Sequence, residues 1–177
     1  MHQKNVQAWD VALFSPPYTT LTYVQPGSFP DWAWFPGQRV IVPVRKEIRS
    51  GLLLDRVQIR NQVGQSKSLL WPRERDPLFP QSYLRLLHAL SLRYVTTPGR
   101  ILASVLPAQV RSLAKTLVSD RGQSINVHHL PGMEEEEYRS WVQKWMAGEL
   151  EFKTSEGKRA LQVWDLACQP PWPLRPQ

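Results

Sequence analysis

Sixteen prolines interrupt the 177 residues of this chain, and no other feature restricts its fold as much. Each fixes φ and removes a backbone donor, which breaks helix interiors and keeps proline out of central strands. What fits between them is short. Residues 6–14 are apolar and rich in β-formers until Ser15-Pro16-Pro17, and residues 19–24 read as a second strand closed by Pro26-Gly27. Residues 39–44 and 52–59 are the third and fourth, and Ser68-Leu69-Leu70-Trp71 is a fifth, ended by Pro72. Several short strands separated by turns predict a small barrel or a strongly bent sheet.

The period changes after Pro80. Tyr83, Leu84, Leu86, Leu87, Leu90 and Tyr94 recur at helical spacing behind Ser82. Residues 100–106 and 108–118 read as two further helices, the last with Arg111 and Lys115 one turn apart. Four glutamates at 134–137 precede Tyr138, Trp141, Val142 and Trp145, an amphipathic helix whose first turn is acidic, as the helix dipole favours. Gly148 stops it. Residues 150–153, a turn at 155–158 and residues 161–166 read as a hairpin, and the proline-rich 169–177 as a linker. The expected fold is α+β, mainly β. Residues 1–112 form a barrel-like domain with two or three helices, residues 113–168 a helix–hairpin extension, and residues 169–177 lead toward a further domain.

The net charge of +7 is unevenly placed. Residues 36–115 hold fourteen Lys/Arg against Glu47, Asp55, Glu74 and Asp76, while both flanks are slightly acidic. A basic body points to a polyanionic partner. Within it, Pro36-Gly37 opens a strand that ends near Arg45, Lys46 and Arg49, and Gly51 begins its return. Cations at the tip of a hairpin can reach a phosphate backbone from a rigid base. Lys67, just before the fifth strand, projects from the same rim.

Other chemistries find little support. Gly157-Lys158 lacks the earlier glycine of a phosphate-binding loop, and no serine has a nucleophile-elbow context. Cys168, the single cysteine, excludes an internal disulfide or a multi-cysteine metal site. His128 and His129 are adjacent and diverge, and His88 is read as a packed core residue. No enzyme activity, cofactor or metal is expected in this chain. The N-terminus carries no apolar signal segment and no stretch is long enough to span a bilayer, so a cytoplasmic location and no membrane partner are expected. Trp32, Trp34 and Phe35 cluster between prolines, either as core or as a stacking surface for bases, and core is the favoured reading.

Taken in order, these residues resemble the N-terminal 3′-DNA-binding domain of primosomal protein N′ (PriA), the bacterial replication-restart helicase family. The resemblance runs over roughly residues 8–112. It rests on Val11-Ala12-Leu13, on Leu21-Thr22-Tyr23 where the family reads Phe-Asp-Tyr, and on Gly37-Gln38-Arg39-Val40-Ile41-Val42-Pro43. Lys67, Pro77 and the helices between Ser82 and Pro107 continue the series. The tail Pro170-Pro171-Trp172-Pro173 is similar to the family's approach to a winged-helix domain.

The resemblance implies a domain that captures the 3′-terminal nucleotide of a nascent strand at a stalled fork. Its pocket positions correspond to Leu21, Thr22, Arg45 and Lys67, and only the lysine is kept. Leu21 replaces an aromatic, Thr22 a carboxylate and Arg45 a glycine; the three changes bear on 3′-hydroxyl selectivity, and Arg45 also strengthens phosphate attraction while tightening the pocket. Leu21, Thr22, Tyr23, Arg39, Arg45, Lys46, Arg49 and Lys67 are therefore the expected DNA-binding residues, with the last five Lys/Arg on phosphates. The expected partners are stalled forks, 3′ ends and single strands, together with other primosome proteins and single-stranded-DNA-binding protein. The resemblance also implies a bacterial, nucleoid-associated parent whose ATP-dependent helicase site lies outside these residues. Two alternatives stand beside it: a sequence-tolerant single-strand or RNA-binding barrel, and a protein-interaction module of the primosome.

Overall fold

A computed structural model describes residues 5–60 and 67–153. Five strands, β1 (Asn5–Leu13), β2 (Thr20–Val24), β3 (Arg39–Val44), β4 (Glu47–Arg60) and β5 (Trp71–Pro72), form one antiparallel sheet in the order β2-β1-β4-β3-β5. The fold is α+β and mainly β, as expected.

The sheet curls without closing. Its two edges meet at one parallel bridge between Val24 and Ser68, with the Val24 amide donating to the Lys67 carbonyl at 2.9 Å. Pro72 has no donor, which limits β5 to two residues and leaves the seam a single bridge wide. Gly51 allows the tightest part of the curl, since a Cβ there would stand 2.6 Å from Val11 Cγ1.

The outer face of β1 and β4 is covered by α1 (Gln81–Arg93) and α2 (Pro98–Val105), which bury Ala12, Phe14 and Leu52 against Leu84, Leu87 and Leu102. Thr97 caps α2 and Pro98 occupies its first turn, where no donor is needed. Gly99 lets α2 approach the β1–β2 loop so closely that a Cβ would lie 2.6 Å from the Tyr18 carbonyl oxygen. His88, expected to be packed, is exposed on α1, because the apolar stripe of that helix turns inward at Leu84 and Leu87.

The third expected helix shrinks to α3 (Ala108–Arg111), and residues that follow it become β6 (Thr116–Ser119). The β-branched Thr116 and Val118 favour a strand once neighbours are available. β6 pairs on one side with β7 (Ser124–Asn126) and on the other with β8 (Leu150–Lys153). The first arm of the expected hairpin thus joins β6; its turn, its return arm, Cys168 and the proline-rich tail lie outside the described residues.

Between these strands, α4 (Glu135–Ala147) ends at left-handed Gly148 and buries Trp141, Val142 and Trp145. Its aromatic stripe completes the main core. Phe29 sits edge-on to Trp34, Trp71 and Trp145 at 5.3, 5.1 and 5.5 Å, and the Tyr138 hydroxyl donates to the Leu70 carbonyl at 2.5 Å. Among the described residues no helix is long and apolar enough to cross a membrane.

Candidate nucleic-acid interface

Val44 pairs with Glu47, so the turn between β3 and β4 is only Arg45-Lys46. The basic connection expected between two shorter strands is therefore two residues long. Both side chains are exposed and neither has a carboxylate partner among the described residues. Arg45 takes a φ of 55°, a left-handed conformation that favours glycine.

The same rim gathers β2 and the segment leading to β5. Lys67 Nζ donates to the Arg45 carbonyl at 3.0 Å, which places its charge at the hairpin tip. Its position follows from the seam, because the Lys67 carbonyl accepts from Val24 of β2. Leu21 is about one-third exposed near the start of β2. Thr22 is exposed on the opposite face of that strand, its hydroxyl donating to the Asp10 carboxylate at 2.6 Å.

Arg49 lies in β4 opposite Val42 rather than in a loop. Its guanidinium donates to Ser15 Oγ at 2.9 Å and to the Glu47 carboxylate at 2.5 Å.

Two expected contact residues are structural instead. Arg39 is only 3% exposed, with its Nε on Glu74 at 2.6 Å and a terminal nitrogen on the Val110 carbonyl at 2.8 Å. A guanidinium so enclosed does not face a phosphate. The curl of the sheet turns it toward the connection between β5 and α1. Tyr23 is likewise buried, and its hydroxyl donates to the Pro43 carbonyl at 3.0 Å across the sheet interior. Burial pushes its pKa up to about 12. Arg73, 8% exposed, is lowered to about 10 by burial and then by Arg39, with Glu74 opposing.

The aromatic cluster divides. Trp34 is core, whereas Trp32 is 60% exposed and stacks on buried Trp145, ring centroids 6.1 Å apart. Asp10 was not among the sequence candidates; an isolated carboxylate in an apolar strand was its only sign. Among the described residues no cluster of three His, Cys, Asp or Glu side chains could hold a metal ion.

Residues 10–107 match the family of the PriA 3′ DNA-binding domain (3′BD). The chain belongs to that family. No curated protein matches it. The 3′BD is a DNA-binding module of the primosome and of replication restart, not a catalytic one. The matched residues run from Asp10, midway along β1, to the residue before α3, so they include β2 to β5, the second half of β1 and the rim that carries Arg45, Lys46 and Lys67. Residues beyond the 3′BD match, from α3 to β8, nevertheless share its main core through Trp141 and Trp145.

Proposed function

We propose that this 3′BD holds single-stranded or forked DNA near a 3′ end, with Arg45, Lys46 and Lys67 on the phosphates. The observation that carries the reading is the Lys67 ammonium bound to the Arg45 carbonyl, which concentrates three exposed cations at one rim. Charge of this kind attracts any nucleic-acid strand and makes affinity fall steeply with salt. Arg49 adds a fourth cation a short way along β4. Thr22 retains oxygen lone pairs that accept from a terminal hydroxyl while its own proton is held by Asp10. As the DNA-binding part of a replication-restart helicase, the domain would bring a stalled fork to an ATP-driven motor and would sit with the nucleoid.

Anisotropy titrations with strands ending in a 3′-hydroxyl or a 3′-phosphate, at several salt concentrations, test this. Preference for the hydroxyl end supports end capture. Equal affinity with a steep salt slope leaves a sequence-tolerant strand binder. Lys67→Ala weakens binding to every strand, and Arg45→Gly loses affinity while gaining end selectivity.

A second surface supports partner proteins, such as other primosome components or single-stranded-DNA-binding protein. Leu92, Tyr94 and Val95 stand exposed together at the end of α1, at 68%, 66% and 93%. Leu92→Ser abolishing pull-down of such a partner, with DNA affinity intact, is the expected result.

A further inference from the structure

Just beyond the Arg45-Lys46 turn, the first residues of β4 face α3 and the β1–β2 loop across a cleft of about 400 Å³. Two guanidinium groups, Arg49 and Arg111, line it with Ser15, Ser50, Ser112 and one carboxylate, Glu47. The charges do not balance. Glu47 is 65% exposed and pairs with Arg49, while Arg111 has no acidic partner among the described residues. Arg111 Nε donates to the Leu106 carbonyl at 3.0 Å, which orients the guanidinium, and its terminal nitrogens have no hydrogen-bond partner among the described residues.

The lower wall is unsatisfied too. Ser50 is only 4% exposed, and neither its hydroxyl nor the buried Nε of Arg49 has a hydrogen-bond partner among the described residues. Buried polar groups without partners are uncommon in folded proteins and call for an explanation. Paired guanidiniums with nearby hydroxyls suit a tetrahedral oxyanion, since arginine offers a planar fork to phosphate oxygens.

From this geometry we propose that the Arg49–Arg111 cleft holds a backbone phosphate of the same DNA strand that the hairpin tip engages. The inference rests on the DNA-binding reading given above. Arg49 follows Lys46 by three residues, roughly 10 Å along an extended strand, so one DNA strand can contact both places. Glu47 is the competitor. It occupies one edge of Arg49, and an exposed ion pair is readily exchanged for a phosphate contact.

The test is fluorescence anisotropy on a single-stranded oligonucleotide, over a range of salt, with the whole chain and its Arg111→Gln, Glu47→Gln and doubly substituted forms. Arg111→Gln should weaken binding about fivefold at low salt and flatten the slope of log affinity against log salt by about 0.7, one phosphate's worth on a single strand. Glu47→Gln should tighten binding about threefold, and that gain should disappear when Arg111 is also replaced. Arg111→Lys, which keeps the charge, should retain the slope, and this separates phosphate contact from damage to the fold. Unchanged affinity and slope in Arg111→Gln overturn the inference, as does a Glu47→Gln gain that persists without Arg111. Either result would leave the hairpin reading standing. Wild-type protein that binds no strand at low salt would bring down both.

Discussion

Val95 holds a φ of 49° directly after α1, where the Thr96 amide closes the helix by donating to the Ser91 carbonyl at 3.1 Å. Glycine is the usual residue at such a helix end, and a β-branched side chain with positive φ is strained by about 1–2 kcal/mol. Val95 is also 93% exposed, so its methyl groups gain little from packing. Val95→Gly should therefore raise stability by about 0.5–1 kcal/mol, seen as a higher urea midpoint with an unchanged m-value. Arg45 is in the same position at the hairpin tip. Arg45→Gly should stabilise the fold by a similar amount while weakening DNA binding, which separates the residue's conformational cost from its electrostatic use. Tyr23 makes a different claim. Its pKa is pushed from 10 up to about 12 by burial, so its contribution is complete below pH 10 and is lost as pH rises toward about 12. Tyr23→Phe should cost about 1 kcal/mol at neutral pH by leaving the Pro43 carbonyl unpaired. Chemical denaturation across pH should show the gap between the two proteins narrowing above pH 10.

At the level of elements, the strands were readable because prolines and turn residues delimit them. β3, Arg39–Val44, spans the residues that its β-branched Val40-Ile41-Val42 marks out. The turn after it was misread, because Glu47-Ile48-Arg49 looks like a charged loop until Pro43 and Val42 supply its pairing partners. Residues 112–118 were misread for a related reason. Their helical spacing is real, but pairing with β7 and β8 outweighs a weak local preference. Arg39 shows what charge counting misses. Cationic patterning marks it as a phosphate contact, yet it joins β3 to Glu74, ahead of α1, and to the Val110 carbonyl of α3. Arg39→Met should destabilise the protein by about 3 kcal/mol, because the Glu74 carboxylate loses its guanidinium partner and keeps only the backbone amide. The folded fraction should bind DNA as tightly as wild type, checked by thermal melting and anisotropy on the same samples.

For the whole molecule, the mainly β fold and the concentration of positive charge in its middle segment were legible in the sequence. The candidate site was legible in part. Arg45, Lys46 and Lys67 do meet at one rim, but Tyr23 and Arg39 turn inward, and the Asp10–Thr22 pair depends on a register that no local pattern reveals. Nor could spacing bring Arg111 to Arg49, since their approach depends on where α3 settles against β4. The proposed DNA contact is made by the rim cations, not by the buried ones. Its most direct test replaces Arg45, Lys46 and Lys67 together by alanine and measures affinity for a single strand against salt concentration. The slope should flatten by about 2, three phosphates' worth at roughly 0.7 each. A slope unchanged from wild type, in a protein that melts normally, would contradict it.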